Sequence, residues 1–328
     1  MIRRAGLVAL AIALAAPTHA EPLPAPVAVA PDTDLGRQLA SIADVPAGRV
    51  GIAVIDLGSG RETTISGLER FPMASVVKIA VAMTLLDRVD QGRDRLNREI
   101  ALPERFRHAD GFTEILVHPG IRLSLANWIE LMLTQSDNSA SDLLFTEAGG
   151  PAAVQRWLTG KGVAGMRVDR DIAAVLIDNF GLPRTAGASD LQSLRDANRL
   201  PRFTDEQINA AARRFTADPR DTATPLAIAR LLARLDRGEL LRPASRDALL
   251  ATLGRTRTGP DRLRAGAATG SLVAHKTGTL RLISNDVGIV TRPDGRRFAV
   301  AVFVSGIEDA KQRAAIIANV ARAVTGAH

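Results

Sequence analysis

Residues 49–57, Arg-Val-Gly-Ile-Ala-Val-Ile-Asp-Leu, and residues 297–305, Arg-Phe-Ala-Val-Ala-Val-Phe-Val-Ser, lie towards opposite ends of the chain. Both are short apolar runs rich in valine and isoleucine, which is typical of buried strands. Residues 61–66 can pair with the first run across a Gly-Ser-Gly turn, and residues 272–277 and 286–291 are further strand-like runs before the second. The sequence therefore predicts one sheet assembled from both termini.

Between these strands the apolar residues recur at helical spacing. The predicted helices cover residues 75–89, 124–134, 140–148, 151–160 and 225–235, with flanking helices at 35–43 and 309–324. We expect an α+β fold with three layers (α/β/α), in which an all-helical lobe at approximately residues 75–225 is inserted into an antiparallel sheet. Chemistry is expected where the two lobes meet.

The first 20 residues have the features of a secretory signal peptide: Arg3 and Arg4, an apolar run to Ala16, and a small-residue cleavage pattern ending at Ala20. Residues 21–33 are rich in proline and alanine, and we expect a flexible leader before a domain at residues 34–326. The apolar run is too short to span a bilayer. We expect a periplasmic or secreted protein without a membrane anchor.

The composition excludes several classes of function. The chain has no cysteine, so it has no disulfide framework and no thiolate metal site. Its net charge is +7, but the acidic residues are interspersed and aromatic residues are few, which argues against nucleic-acid binding. His108 and His118 are too isolated to suggest metal ligands. We expect a monomer without metal or cofactor.

The segment Ser75-Val76-Val77-Lys78 brings a hydroxyl and an amine one helical turn apart on the same face. A serine is a poor nucleophile alone, but an amine whose pKa is lowered by burial and by other cations can take its proton. Arginine cannot do this because its guanidinium stays protonated. Only four of the 42 basic residues are lysines, which makes Lys78 informative.

Two later motifs complete a set. Ser136-Asp137-Asn138 lies between two helical segments, and Lys276-Thr277-Gly278 ends a strand near the C-terminus. Together and in this order, the three motifs match those of class A β-lactamases and penicillin-binding proteins. Residues 134–143, 167–170 and 218–227 also resemble class A segments, and the resemblance extends from residue 34 to residue 324. Related families use Tyr-x-Asn as the second motif, and this chain has no tyrosine.

The resemblance implies a role in acyl transfer for four residues. Ser75 would be the acylated nucleophile, and Lys78 would be the amine that activates it. Ser136 would relay a proton to the leaving nitrogen. The backbone N–H groups of Ser75 and Thr279 would form the oxyanion hole, in which the loss of one donor typically costs about 10²–10³ in rate.

The resemblance also implies a substrate-binding set. Asn138 would bind the side-chain amide of the substrate, and Lys276 and Thr277 would hold its carboxylate. Arg281 is a further candidate partner for that carboxylate. His275, which precedes the third motif, is interpreted as a packing or hydrogen-bonding residue rather than a base.

The sequence departs from the family in the Ω-loop. In class A enzymes a glutamate two residues after the arginine that matches Arg170 orients the hydrolytic water, and here that position is Ile172. The loop, residues 170–221, far exceeds the roughly 6–16 residues of an ordinary Ω-loop and has a helical pattern at residues 204–215. Asp171 and Asp178 are the nearest candidates for a substitute deacylation base; alternatively, the loop only covers the cleft.

Three functions therefore remain open. The first is a β-lactamase that opens the β-lactam amide through an acyl-enzyme on Ser75, with atypical deacylation. The second is a D,D-peptidase or penicillin-binding protein that acts on peptidoglycan stem peptides. The third is a penicillin-binding sensor without turnover. Acylation and deacylation are separate steps with separate requirements, so the three motifs support acylation but leave deacylation undecided.

Overall fold

The computed structural model describes residues 33–109, 111–116, 118–197 and 203–326. The predicted signal peptide and all of the predicted leader except Thr33 lie outside the described residues. Within the described residues, no helix is both long enough and apolar enough to cross a membrane.

The strands form one main sheet and two short pairs. In chain order they are β1 (Arg49–Asp56), β2 (Glu62–Ile65), β3 (Phe71–Pro72), β4 (Glu99–Ala101), β5 (Arg122–Ser124), β6 (Thr222–Ala223), β7 (Leu272–Leu280), β8 (Ile283–Thr291) and β9 (Arg297–Ser305). The main sheet has five antiparallel strands in the order β2-β1-β9-β8-β7, while β3 pairs with β6 and β4 with β5. Because β1 pairs with β9 along its whole length, the predicted sheet from both termini is confirmed.

The helices in the described residues are α1 (Asp34–Ala43), α2 (Lys78–Asp90), α3 (Leu125–Glu130), α4 (Asn138–Ala148), α5 (Pro151–Gly160), α6 (Ile172–Phe180), α7 (Asp190–Ala197), α8 (Asp205–Thr216), α9 (Pro225–Asp236), α10 (Pro243–Gly254), α11 (Leu263–Gly266) and α12 (Ala310–Thr325). A 3₁₀ turn, Ala74–Val77, precedes α2, and a π-helical turn, Leu131–Gln135, follows α3. The chain between β2 and β7 is therefore mostly helical.

The alternation of side chains along β1 builds the three layers. Ile52 and Val54 belong to an apolar cluster with α1 and α12 on one face of the sheet. Ala53 and Ile55 belong to a larger cluster with α2 and α9 on the other face. Each face of the sheet is thus covered by helices, as expected for strands that are apolar at nearly every position. The predicted α+β fold is confirmed.

The helix α2 is the centre of the helical lobe rather than a surface helix. Every residue from 76 to 87 is buried, and Ser75 is the only residue between 71 and 87 that is not. The sequence pattern predicted a single helix over residues 75–89, whereas the structure begins it with the 3₁₀ turn. The nucleophile candidate therefore lies in the turn before α2, as the one partly exposed residue of an otherwise buried segment.

In its described residues, 170–197 and 203–221, the long loop contains three helices, α6, α7 and α8. The predicted helix at residues 204–215 is confirmed as α8, which begins with a capping box between Thr204 and Gln207. The sequence did not predict α6 and α7. The residues of α6 are nearly all apolar, because this helix packs against α4, α7 and α8 and lacks a polar face from which a period can be seen.

Close packing between α11 and α12 gives a test of the fold. A Cβ at Gly266 would lie 1.8 Å from the carbonyl oxygen of Ala318, so Gly266→Ala should lower the free energy of unfolding by about 2–4 kcal/mol. Gly254→Ala, at the end of α10 with nothing within 4 Å, is the matched control and should change it by less than about 1 kcal/mol. Equal urea midpoints for the two variants would contradict this packing.

Candidate active site

The first two motifs meet around the amine of Lys78, which is fully buried. Its Nζ donates hydrogen bonds to the Ser136 carbonyl oxygen at 2.7 Å, to Ser136 Oγ at 3.2 Å and to Asn138 Oδ1 at 2.9 Å. Ser136 adopts a left-handed conformation with φ 58°, which ends the π-helical turn and directs the motif towards Lys78. A strained residue of this kind is common at functional sites.

The third motif reaches the same serine from the opposite side. Lys276, on β7, is fully buried, and its Nζ donates to Ser136 Oγ at 3.0 Å and to the Thr277 carbonyl oxygen at 3.0 Å. Burial and the positive charge of Lys78 hold the pKa of Lys276 well below its usual value, and Asp286 opposes this. The Ser136 hydroxyl therefore lies between two amines.

A glycine lets β7 approach the turn that carries Ser75. A Cβ at Gly278 would lie 2.6 Å from the Met73 carbonyl oxygen and 3.2 Å from the side chains of Ala74 and Val76. Any larger residue would push the strand away. This contact brings the backbone of Thr279, the next residue on β7, beside the turn, and the Thr279 side chain is exposed.

Thr277 and Asp137, the middle residues of the two later motifs, are each held by hydrogen bonds. Thr277 is buried, and its Oγ1 lies 2.5 Å from Thr258 Oγ1. Asp137 is also buried and caps α4 by accepting from the Ala140 N–H at 2.8 Å. It also accepts from the N–H of Thr113 at 2.9 Å, so the loop at residues 111–116 is fastened to the second motif.

Arg262 is a buried cation beside this set that the sequence did not indicate. Its guanidinium donates to Thr279 Oγ1 at 2.8 Å, to the Asn285 carbonyl oxygen at 3.0 Å and to the Gly278 carbonyl oxygen at 3.3 Å. Burial lowers its pKa from the usual value. No local pattern distinguishes Arg262 from the other arginines nearby, so only the folded structure reveals it.

Arg281, the further candidate for the substrate carboxylate, contacts the insertion. It occupies the hairpin between β7 and β8, and its guanidinium donates to Asn209 Oδ1 at 2.5 Å and to Asp205 at 3.3 Å on α8. Its backbone N–H donates to Asn179 Oδ1 at 3.0 Å. The side chain is therefore turned towards the insertion, whereas Arg262 contacts the strand of the third motif.

The two carboxylates proposed as deacylation bases both have structural partners. Asp171 caps α6 by accepting from the Ala174 N–H at 2.9 Å, and burial together with the charge of Asp142 raises its pKa to about 6. The Asp178 carboxylate is bound by three arginines, Arg170, Arg184 and Arg220. Burial would raise the pKa of Asp178, but hydrogen bonds from Arg184 and Arg170 lower it overall.

The insertion presents an apolar face next to the nucleophile. Val175 of α6 packs in one cluster with Ala74, Leu280 and Ile283, and Ile172 belongs to the main core. Asp142 holds the N-terminus of α6, because its carboxylate accepts from the backbone N–H groups of residues 172 and 173, and its Oδ2 lies 2.7 Å from His108 Nε2.

The histidine that precedes the third motif has a carboxylate partner. His275 is buried, and its Nδ1 lies 2.8 Å from Asp286 Oδ1, so it is a hydrogen-bonding residue as the sequence suggested. Among the residues that the structure describes, no group of three or more histidine and carboxylate side chains could hold a metal ion.

The comparisons with known proteins agree with this geometry. The family described as the beta-lactamase enzyme family matches residues 34–327. The extended-spectrum beta-lactamase PER-1 of Pseudomonas aeruginosa is 29% identical over 298 residues, covering 88% of this chain and 85% of that protein. A beta-lactamase of Streptomyces albus G is 30% identical over 297 residues, covering 88% of this chain and 83% of the relative.

Solved structures extend this similarity to the fold. A beta-lactamase from Chitinophaga pinensis has a TM-score of 0.73 and 29% identity, covering 90% of this chain and 99% of its own. An ancestral Gram-negative class A beta-lactamase also has a TM-score of 0.73, with 34% identity over 89% of this chain and 99% of its own. The chain therefore belongs to the β-lactamase enzyme family, among relatives of class A.

Proposed function

We propose that the protein hydrolyses β-lactam amides through an acyl-enzyme on Ser75. The position of the Ser136 hydroxyl carries this proposal, because it accepts hydrogen bonds from both Lys78 and Lys276. Ser75 is accessible at the end of a buried helix, where a substrate carbonyl can reach it. Membership of the family supports the same reaction.

Acylation transfers one proton from the nucleophile to the leaving nitrogen. Lys78 donates three hydrogen bonds, which uses all three N–H groups of an ammonium, so it must lose a proton before it can act as a base. As a neutral amine it then takes the proton from Ser75 Oγ while that oxygen bonds to the carbonyl carbon. The N–H groups of Ser75 and Thr279 hold the negative oxygen that forms. The C–N bond then breaks as Ser136 gives its proton to the nitrogen, and Lys78 returns a proton to Ser136.

The two lysines prepare Ser136 for this step. A hydroxyl oxygen has two lone pairs and one hydrogen. Lys78 and Lys276 donate to that oxygen at 3.2 and 3.0 Å, so both lone pairs are used. The hydroxyl hydrogen must therefore point away from both amines, towards the cleft and the leaving nitrogen.

Buried positive charge suits the acidic group of the substrate. We propose that Lys276 and Thr277 hold the substrate carboxylate, with Arg262 rather than Arg281 as the further cation. Arg262 contacts the strand that carries this motif, whereas the Arg281 guanidinium is bound to α8. Asn138 would bind the side-chain amide of the substrate.

Deacylation is proposed to be slower than acylation and to limit turnover. The family's glutamate position is Ile172, and Val175 of the same helix packs against Ala74 beside the nucleophile. An apolar surface cannot orient or deprotonate a water molecule. Asp178 is held by three arginines, and the groups that act most strongly on Asp171 are Asp142 and the helix end rather than the catalytic lysines.

A second candidate function follows from the residue at position 172. A long-lived adduct with penicillin is the behaviour of D,D-peptidases and penicillin-binding proteins, whose natural substrates are peptidoglycan stem peptides. Ile172 stands where the family has its glutamate, which favours this candidate. A sensor that is acylated and never releases the adduct is the extreme form of the same behaviour. Cleavage of D-Ala-D-Ala peptides by the purified protein would distinguish the peptidase from the sensor.

We further propose that the protein acts outside the cytoplasm as a monomer and needs no cofactor. The signal-peptide features of residues 1–20 support export.

The nucleophile assignment predicts the loss of every adduct in Ser75→Ala. Mixed with a fluorescent penicillin and a chromogenic cephalosporin, this variant should acylate at least about 10³-fold more slowly, because the attacking oxygen is gone. Ser59→Ala, in the exposed turn after β1, is the control and should behave as wild type. Mass spectrometry of the intact protein measures the adduct. Labelling that persists in Ser75→Ala would refute the assignment.

The deacylation proposal predicts a gain of turnover in Ile172→Glu. A carboxylate at this position should shorten the lifetime of the Ser75 adduct by at least about 10-fold, since it supplies a general base for water. Ile172→Gln has the same size and no base, and its adduct should persist as in wild type. Single-turnover decay is followed by mass spectrometry on folded protein. Equal decay for both variants would contradict the proposal.

The raised pKa of Asp171 predicts how stability depends on pH. The folded protein binds this proton more tightly than the unfolded chain, so the contribution of Asp171 to stability falls as pH rises from about 4 to about 6. Asp171→Asn keeps the helix cap and removes the charge. It should raise the free energy of unfolding at pH 8 by on the order of 1–3 kcal/mol and have little effect near pH 3.5.

Urea unfolding at the two pH values measures this effect. Asp94→Asn is the control of opposite sign, because hydrogen bonding from Arg98 lowers the pKa of Asp94, and this variant should lose stability at pH 8. The adduct of Asp171→Asn should decay at the wild-type rate. A slower decay would instead identify Asp171 as the deacylation base.

A further inference from the structure

The backbone just before the nucleophile has an unfavourable conformation. Ala74 has φ 48°, in the left-handed region, which costs an L-residue about 1–2 kcal/mol. Such a residue persists only where its surroundings hold it in place. The peptide that follows Ala74 carries the N–H of Ser75, so the conformation of Ala74 sets the direction of that N–H.

Two groups hold the residues before Ala74 by hydrogen bonds. The Met73 N–H donates to the Asp221 carbonyl oxygen at 2.9 Å, at the end of the insertion. On the other side, the Asn285 Nδ2 donates to the Pro72 carbonyl oxygen at 2.9 Å and to the Met73 carbonyl oxygen at 3.1 Å. Two successive peptide planes are therefore fixed by one side chain.

The orientation of the Asn285 amide follows from its neighbours. Both atoms that it contacts are carbonyl oxygens, which only accept hydrogen bonds, so the nitrogen must face them. The side chain is buried, and its Oδ1 has no hydrogen-bond partner among the residues that the structure describes. The donating end of Asn285 is thus the end that makes contacts.

Asn285 also lies opposite the residue that precedes Thr279, which would supply the other N–H of the oxyanion hole. On β8 it is paired with Gly278 of β7, the residue before Thr279. Its own carbonyl oxygen accepts from Arg262, whose guanidinium also donates to Thr279 Oγ1. The same residue therefore contacts the backbone before Ser75 with its side chain and adjoins the Thr279 strand with its backbone.

We propose that Asn285 is a positioning residue for acylation, which holds the Pro72–Ala74 backbone so that the Ser75 N–H points at the substrate carbonyl together with the Thr279 N–H. This inference rests on the proposed acylation of Ser75. Asn285 does not touch the reacting atoms and acts through the backbone alone. Its loss misaligns one oxyanion-hole donor without removing it.

The expected effect is smaller than that of deleting a donor, which typically costs 10²–10³ in rate. Without the amide, acylation should slow by about 10–100-fold, while non-covalent binding of the substrate changes by less than about threefold. The ester carbonyl of the adduct should also change, since a less well oriented donor polarises it less. Its infrared stretching band should move to higher wavenumber.

Two variants test this, and neither alters the reacting groups. Asn285→Asp keeps the shape but replaces the donor by an acceptor, and Asn285→Leu removes all polarity at similar volume. Stopped-flow kinetics with a chromogenic cephalosporin separates the binding constant from the acylation rate, and infrared difference spectra of the penicillin adduct give the carbonyl band. If one of the two variants does not fold, the other still tests the proposal.

Thr325→Val is the control for a purely structural loss. Thr325 is buried far along the chain in α12, and its hydroxyl accepts from the Ala268 N–H and donates to the Ala321 carbonyl oxygen. This variant should lower the melting temperature and leave acylation and the carbonyl band unchanged. Slower acylation with a shifted band in the Asn285 variants supports the proposal.

Two results would overturn it. If the Asn285 variants lose stability as Thr325→Val does, but keep the wild-type acylation rate and carbonyl band, Asn285 is only structural. If wild-type protein forms no adduct on Ser75 at all, the proposed function fails, and this inference fails with it. The first result leaves the proposed function standing, so the two failures are distinguishable.

Discussion

The contact between strand β7 and the turn that carries Ser75 is the constraint on which the catalytic centre depends. Gly278 permits it, because any side chain there would collide with the Met73 carbonyl oxygen. Three basic side chains, Lys78, Lys276 and Arg262, are buried beside this contact, and the charges of Lys78 and Arg262 act on Lys276. Mutual repulsion and burial make this arrangement unfavourable by itself. Carbonyl oxygens and hydroxyls that accept from the cations offset part of that cost, and an anionic substrate would offset more.

The sheet could be predicted from the sequence, because continuous apolar runs are a local signal of buried strands. The three motifs could be recognised, because each is a short run of residues in a fixed order. The structure brings Lys78, Ser136 and Lys276 within hydrogen-bond distance, as the resemblance implied. Arg262 and Asn285 could not be predicted, because each reaches the centre only through the folding of distant strands. The resemblance names Arg281 as a further partner for the substrate carboxylate; its guanidinium donates to side chains of α8, and its role in binding stays a prediction. Helices α6 and α7 were not predicted, because their apolar residues do not recur at a visible helical spacing.

The two ends of the insertion contribute to the catalytic centre in different ways. At its base, Asp221 accepts from Arg170 with its carboxylate and from the Met73 N–H with its carbonyl oxygen, so the loop and the nucleophile turn share one residue. At its N-terminal helix, Val175 contributes only apolar surface to the cluster around Ala74. The same segment is thus attached to the nucleophile turn at its base and presents apolar side chains of α6 to that turn.

The pairing of β1 with β9 has a consequence for how the chain folds. The first and last strands of the sheet lie side by side, and the helices α1 and α12 pack together over them. A chain emerging from its N-terminus cannot complete this sheet until nearly its whole length is available, because the partner of its first strand comes last. Such long-range pairing makes folding slow, and it keeps the N-terminal part loosely structured during synthesis.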